Sequence, residues 1–533
     1  MMGDMKKKHT RPWSDIAKLA NGRFLENVLF VGALVSISWS IYFSLVTISI
    51  PYQLEFHEGT ALVITDLLTE GKNPFNFEHQ PLAMTNYGIG YSIAVLPFAR
   101  LFGSTLLIHR AVTFVFIFFS GLLGGMVVYR SGKNKSLALP CMAFIMIGLV
   151  ARGGIGAFPS GMGTFLFLAA IYLPCMRSFD HPSLVASILL SLAAFYTKPY
   201  FVLSSGIVAS YLFLFVSKKS GILYGLIFLI GLLISALGVG RIFPLYFTNT
   251  FLGNVANTSM TAYQMFRQLI ELFSNFYPVI LLLLFLAMAP HFHNGPRNIP
   301  DFQLGTMADL RKWDLPVFEF RMGFLLHCFM CSLLAFVFIL GPHVGNYMSY
   351  AYQLLVPTFF CWLFCDVNFD KRWMALVTAV LVTNLYLWAR EYESPQMLDQ
   401  KDSREWARLF DHVHSAEVIL NSPMVASEIV AMGMTPVDAG QTRFFYSVAP
   451  FSDNVFIGTS YDAFRADGLN YVRLIDRMIE KQRFDLILTF KGKASFYHER
   501  LVFQYYSVVE EIQIDTPQVE ESWTILVWRP LAE

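Results

Sequence analysis

Long apolar runs, broken by short polar stretches, fill the first three quarters of the chain. A helix needs about 20 mostly apolar residues to cross the hydrocarbon layer. The runs that reach or approach this length are 28–50, 109–129, 137–151, 160–177, 183–197, 199–217, 221–240, 276–290, 323–341, 351–366 and 373–389. They predict about eleven membrane-spanning helices. A further segment, 88–108, is apolar but interrupted by Pro97, Arg100 and Gly103, so length alone leaves it between a span and a surface helix. The first run, Leu29 to Ile50, is too long for a signal-peptide core and has no small-residue cleavage site after it, and so reads as a retained span.

After Trp388 the pattern changes. EYESPQMLDQKDSREWARLF is charged and can begin a soluble helix; EVILN then reads as a strand and SPMVASEIVAMG as a helix, with Ser422 as cap and Pro423 in its first turn. TPVDAG reads as a strand, LNYVRLIDRMIEKQ as a helix, and FDLILTF, VVEEIQI and WTILVWRP as strands. The alternation predicts a C-terminal soluble α/β domain over 391–533, behind a basic N-terminus (1–27) and an all-α polytopic membrane domain (28–390). The tail has no phosphate loop, dinucleotide fingerprint or nucleophile elbow, which argues against an independent nucleotide-dependent activity.

Composition agrees with a lipid-solvated chain: 55% of the 533 residues are hydrophobic and 14% charged, where soluble chains are about one quarter charged. A net charge of +1 and the lack of any basic block exclude nucleic acid as an expected partner. Cys141, Cys175, Cys328, Cys331, Cys361 and Cys365 all lie in apolar runs, where packing is their expected role. Charge also decides the topology. If 88–108 stays on one side and the N-terminus is cytoplasmic, Lys6, Lys7, Lys8, Arg130, Lys133, Lys135, Lys218 and Lys219 all fall inside, as the positive-inside rule requires. The segment then belongs to a first external loop, 51–108, and the tail is expected outside the cytoplasm of a plasma (inner) membrane protein.

On this topology Glu55, Glu58, Arg152, Lys198, Arg241, His343 and Asn346 all come to the external ends of their helices. Charge beside the hydrocarbon is costly and tends to mark function. Glu58-Gly59 opens an amphipathic helix, with Leu62, Leu67 and Leu68 suited to an interfacial face and Asp66 and Glu70 to a wet one; Gly71 closes it and Asn73-Pro74 turns the chain. An acid so anchored is well placed to act on a lipid head group, although Glu55 and Glu58 would also suit ordinary loop acids near a helix N-terminus.

The order of Glu58, Gly71 and Pro74, then Tyr87, Gly88 and Tyr91, then Leu101, Phe102 and Gly103, then Arg110, resembles the first loop of GT-C class glycosyltransferases. That class includes the protein O-mannosyltransferases and the lipid A aminoarabinose transferases. Arg152 before FPSGMGTFLFLAAIYL, Thr197-Lys198 after an apolar helix, and Gly345-Asn346-Tyr347 before YQLLVPTF continue the likeness across roughly 28–390. Many relatives have Asp-Glu where this chain has His57-Glu58, which leaves the family's acid position open between Glu58 and Glu55.

The resemblance implies transfer of a monosaccharide from a polyprenyl-phosphate donor to an envelope lipid, polysaccharide or protein on the outer face, by single displacement with inversion. It implies a carboxylate base, with Glu58 the first candidate, and cations on the departing phosphate, with Lys198, Arg152 and Arg110 the candidates. Tyr87, His343, Asn346 and Tyr347 would shape the pocket. Some branches use a divalent metal, but Glu55, Glu58 and His57 fall short of a full ligand set and no metal is assigned. The competing reading is a transporter or flippase of lipid-linked sugars. Against it, the charges gather at one face, and no pair of matching interrupted helices is evident.

Overall fold

The computed structural model describes residues 22–54, 56–76, 87–132, 135–153, 155–247, 249–250, 323–336, 350–366, 377, 379–381, 400–420, 425–434, 436–437, 472–492, 498–516 and 519–531. The membrane portion is helical. Its first span is α1 (Gly22–Ile48), followed by two short helices, α2 (Phe56–Thr69) and α3 (Gly90–Phe102). Then come α4 (Leu106–Ser131), α5 (Ala138–Gly148, continued by a π-helical turn at Leu149–Gly153), α6 (Pro159–Met176) and α7 (His181–Phe195). A 3₁₀ turn (Pro199–Val202) leads into α8 (Leu203–Tyr211) and a π turn (Leu212–Val216), and α9 (Lys218–Ile242), α10 (Phe324–Ala335) and α11 (Val356–Asp366) complete the described bundle.

Among the described residues, five helical stretches are long and apolar enough to cross a membrane: Glu26–Ile48, Leu106–Ser131, Pro159–Met176, Pro199–Val216 and Lys218–Ile242. Shorter apolar helices lie at Lys135–Ala151, His181–Phe195, Phe324–Ala335 and Ala351–Cys365. The chain is a multi-pass membrane protein. The run at 276–290 lies outside the described residues, as do parts of 323–341 and 373–389. On α9 the side chains of Leu223, Leu226, Ile230, Leu233, Ile234 and Leu237 face outward, as lipid contact requires.

Small residues bring the helices together where no water is present to drive association. On α1, Ser36, Ser40, Ser44 and Thr47 are buried, and each satisfies its hydroxyl on the carbonyl four residues earlier. Gly121, Gly124 and Gly125 on α4 abut Met146, Ile145 and Ala138 of α5; a Cβ at Gly124 would stand 2.3 Å from Ile145 Cδ1. Farther along α5, Phe144 stacks on Phe360 of α11 at 4.2 Å.

Segment 88–108 breaks at one of its three interruptions, Gly103, while the helix runs through Pro97 and Arg100. Helix α3 stops at Gly103, whose φ of +84° suits glycine, and Thr105 caps the start of α4. At 1.5 Å per residue α3 is about 20 Å long, short of a hydrocarbon layer of about 30 Å. Helix α2 also forms as expected and ends at Gly71, φ +73°. Its surroundings differ from the expectation of a helix lying open at the interface. Leu62 is buried in a cluster with Tyr91, Val95 and Ala99, while Val63, Ile64 and Leu67 pack on Ala426 and Val430 of the C-terminal portion. Helix α2 is therefore enclosed between α3 and the tail.

The C-terminal portion is the expected α/β unit. It contains α12 (Gln400–His414), β1 (Ile419–Leu420), α13 (Ala426–Ala431), a helix over 472–480, β2 (Leu486–Phe490), α14 (Glu499–Tyr505), β3 (Tyr506–Thr516) and β4 (Val519–Pro530). The sheet order is β1-β2-β4-β3, with β1 and β2 parallel and the other pairs antiparallel. Helix α14 was not anticipated. Ser422 and Pro423 and most of the TPVDAG strand lie outside the described residues.

This unit is built onto the first loop. Ile50, Tyr52 and Leu54 enter its core beside Trp406, Leu409, Val413 and Ile429, and Tyr52 stacks on Trp406 with centroids 4.6 Å apart. The Gln53 side-chain oxygen accepts the Ser427 N–H at 2.8 Å. Gly59 lets α13 approach, since a Cβ there would stand 2.7 Å from the Ala426 Cβ and 2.9 Å from the Gln53 amide. Overpacking of this kind costs about 1–3 kcal/mol. Gly59→Leu is accordingly expected to loosen the seam, with backbone amides of α13 exchanging hydrogen about tenfold faster or more in the full-length protein.

Candidate functional site

The charged group held most tightly is a buried pair, Glu58 and Arg110. Glu58 lies in the first turn of α2 and Arg110 in the first two turns of α4; both side chains have no solvent exposure. Arg110 donates from Nε to Glu58 Oε1 at 2.8 Å and from Nη2 to Oε2 at 2.7 Å, a bidentate arrangement. Its other donors meet the carbonyls of Thr47 (3.2 Å), Ile50 (2.7 Å) and Tyr52 (2.8 Å). Glu58 accepts two further bonds, from Leu54 N at 2.7 Å and Ala157 N at 2.9 Å. One ion pair thus fixes the end of α1, the turn into α2, the start of α4 and the approach to α6.

In this geometry neither Glu58, expected as the base, nor Arg110, expected as a phosphate ligand, faces open space, because each is engaged by the other and by main-chain groups. A carboxylate held bidentately by a guanidinium and by two amides is also poorly suited to ligate a metal. Among the described residues, no three His, Cys, Asp or Glu side chains gather as a metal set. Glu55 lies outside the described residues.

Lys198 sits at the same end of the bundle. Thr197-Lys198 follows the end of α7, and Pro199 opens the next turn. The lysine is 7% exposed and its Nζ donates to Ser160 Oγ at 2.7 Å, in the first turn of α6. The same nitrogen lies 4.6 Å from the centroid of the Tyr87 ring and 5.9 Å from that of Tyr200, close enough for cation–π attraction. An ammonium beside a helix N-terminus concentrates positive potential, the setting in which phosphate binds.

Close backbone contact sets Tyr87 over this lysine. Gly88 N donates to Thr197 O at 2.9 Å and Gly90 N to Tyr196 O at 2.8 Å. A Cβ at Gly88 would fall 2.0 Å from the Tyr196 carbonyl oxygen, so only glycine permits the approach. Tyr91, beside it, is buried and donates to His109 O at 2.8 Å; it is part of the scaffold and not an interfacial aromatic. His57 is partly buried next to this group, its ring 5.4 Å from Tyr87 and 6.5 Å from Phe158.

The backbone of Arg152 lies in the π turn that ends α5, and its side chain is outside what the structure describes. His343, Asn346 and Tyr347 are outside it as well. The chain re-enters the described residues at Tyr350, whose ring is 5.0 Å from Tyr200, and Gln353 accepts a hydrogen bond from the Tyr200 hydroxyl. Sequence reasoning did not single out Ser160, Tyr200 or Gln353, which are neutral residues inside apolar runs. His57 entered it as a departure from a pattern and as one member of an incomplete metal-ligand set.

No protein-family model matches the chain, and no curated protein matches it. Among solved structures, the crystal structure of ArnT from Cupriavidus metallidurans bound to undecaprenyl phosphate is similar, with a TM-score of 0.56. The match covers 94% of this chain and 98% of that one at 11% identity. At that identity the likeness is one of fold. It is the fold that the GT-C resemblance implied, a helical membrane domain followed by a C-terminal α/β domain.

Removing one member of a buried pair leaves the other charge unpaired, at a cost of about 3–5 kcal/mol. Glu58→Gln and Arg110→Gln are each expected to lower the thermal unfolding midpoint of the protein in lipid nanodiscs sharply. The double variant should lose clearly less than the two single losses combined, because the partners act as one unit.

Proposed function

We propose that the chain is a membrane glycosyltransferase that moves a monosaccharide from a polyprenyl-phosphate donor to an envelope lipid, polysaccharide or protein. The observation that carries this reading is the buried Lys198 ammonium between Ser160, Tyr87 and Tyr200, on a fold shared with a protein whose crystal structure holds undecaprenyl phosphate. Lys198 neutralises the phosphate in the donor and takes up the negative charge that grows on it as the sugar leaves, commonly the largest single contribution to such a reaction. The positive end of α6 adds to this field. To Arg152, His343, Asn346 and Tyr347 we assign the same donor-binding role on the GT-C resemblance alone.

The reaction is a single displacement with inversion on the outer face of the plasma membrane, with the N-terminus cytoplasmic. The membrane domain runs over 28–390 and the extracytoplasmic domain over 391–533. Glu58 and Arg110 serve this centre as its frame. Together they hold the loop that carries His57 and the strand of backbone that includes Ala157, three residues before Ser160. The C-terminal domain packs on α2 and on the segment before it, and we assign to it the receipt of the acceptor.

The test is binding of undecaprenyl phosphate to the full chain in nanodiscs, wild type against Lys198→Ala and Lys198→Arg. A hydrogen bond to a charged group is worth about 1.5–3 kcal/mol, so the alanine variant should bind about 10- to 100-fold more weakly while arginine retains most of the affinity. Equal affinity in all three proteins removes Lys198 from the phosphate site. Label carried across a vesicle wall, with no sugar transferred, would favour a transporter.

A further inference from the structure

We infer that His57 is the general base that takes the proton from the acceptor hydroxyl. The inference rests on the transferase reading above and supplies the group that Glu58, held by Arg110 and two amides, does not. His57 occupies the first turn of α2, adjacent to the residue that anchors this helix, so its backbone is fixed by the buried pair. Its ring is partly exposed and lies 5.4 Å from the Tyr87 ring, whose face carries the Lys198 ammonium at 4.6 Å. The imidazole is thus one aromatic ring away from the cation assigned to the phosphate. Sugar C1 is joined to that phosphate through a single oxygen, so an acceptor attacking C1 from the side away from the lysine comes within reach of His57.

An imidazole takes and returns protons near neutral pH and suits this role. In the step, the acceptor oxygen forms a bond to C1 as the bond from C1 to the phosphate oxygen breaks. The bonding pair leaves with the polyprenyl phosphate, where Lys198 meets its charge. The hydroxyl proton passes to an imidazole nitrogen of His57 and from there to water. Among the described residues, the charged and titratable groups on this helix and on the elements packed around it include Glu58 and Asp66 on α2 with Glu70 just beyond it, Tyr91 and Arg100 on α3, His109 and Arg110 on α4 and Glu428 on α13. Tyr87 and Lys198 lie on the connecting segments.

The test uses the full chain in nanodiscs with total envelope lipids and glycans as acceptors. A panel of undecaprenyl-phosphate monosaccharides serves as donors, and release of undecaprenyl phosphate is followed by mass spectrometry. His57→Gln is expected to lower kcat about 100-fold or more, the range of general-base contributions, with affinity for undecaprenyl phosphate unchanged within about twofold. His57→Asp restores turnover and moves the acid limb of the pH profile down by about two to three pH units, the difference between an ordinary imidazole and an ordinary aspartate carboxylate. Turnover by His57→Gln within threefold of wild type overturns the inference. So does an acid limb that His57→Asp leaves in place, or a parallel loss of phosphate affinity and turnover, which marks His57 as a ligand or a structural residue. Absence of turnover by wild type on every donor takes down the transferase reading and this inference together.

Discussion

The arrangement of this protein depends on one ion pair shielded from water. A guanidinium and a carboxylate at the edge of the hydrocarbon are stable only if nearly every donor and acceptor is matched. Glu58 and Arg110 meet that demand with main-chain groups drawn from three places in the chain: the end of α1 with the turn after it, Leu54, and Ala157. The need to satisfy the pair therefore dictates where the chain leaves the membrane, where α2 starts and how α6 is approached. Lys198, hydrogen-bonded to the first turn of α6, inherits its position from the same frame.

Two consequences follow from that frame. The segment 50–54, whose carbonyls Arg110 holds, turns its side chains into the core of the C-terminal domain, so the membrane part and the tail share residues at their seam. The opposite side of the same loop, at Tyr87 to Gly90, is pinned to the turn at Tyr196-Thr197 by two main-chain hydrogen bonds that glycine alone allows. A loop fixed on both sides can hold an imidazole, an aromatic face and an ammonium in constant relation, which a transfer reaction between two substrates requires.

Much of this was legible in the chain. Apolar run length placed the spans, Gly103 marked the break within 88–108, and Gly71 marked the end of α2, because each reflects a local demand on the backbone. The grouping of Glu58, Arg110 and Lys198 at one end could be inferred from the alternation of spans and the sidedness of charge. Their roles could not. A carboxylate beside a span reads the same whether it faces a substrate or an arginine 52 positions away, and only the fold reveals Arg110 as its partner. Ser160, Tyr200 and Gln353 were invisible for a related reason, since their importance arises from contact with Lys198 or with one another and leaves no periodic or charge signal. The enclosure of α2 was missed because its Leu62 and Leu67 suit burial against protein as well as contact with lipid.

The account stands on the phosphate of a polyprenyl carrier resting at Lys198. Electron cryomicroscopy of the full chain in nanodiscs with undecaprenyl phosphate examines this most directly. The account predicts phosphate density within hydrogen-bonding distance of Lys198 Nζ, next to Tyr87 and the start of α6, with Glu58 and Arg110 still paired beneath it. Density at the opposite end of the bundle, or at Arg110 with its bond to Glu58 broken, would contradict it.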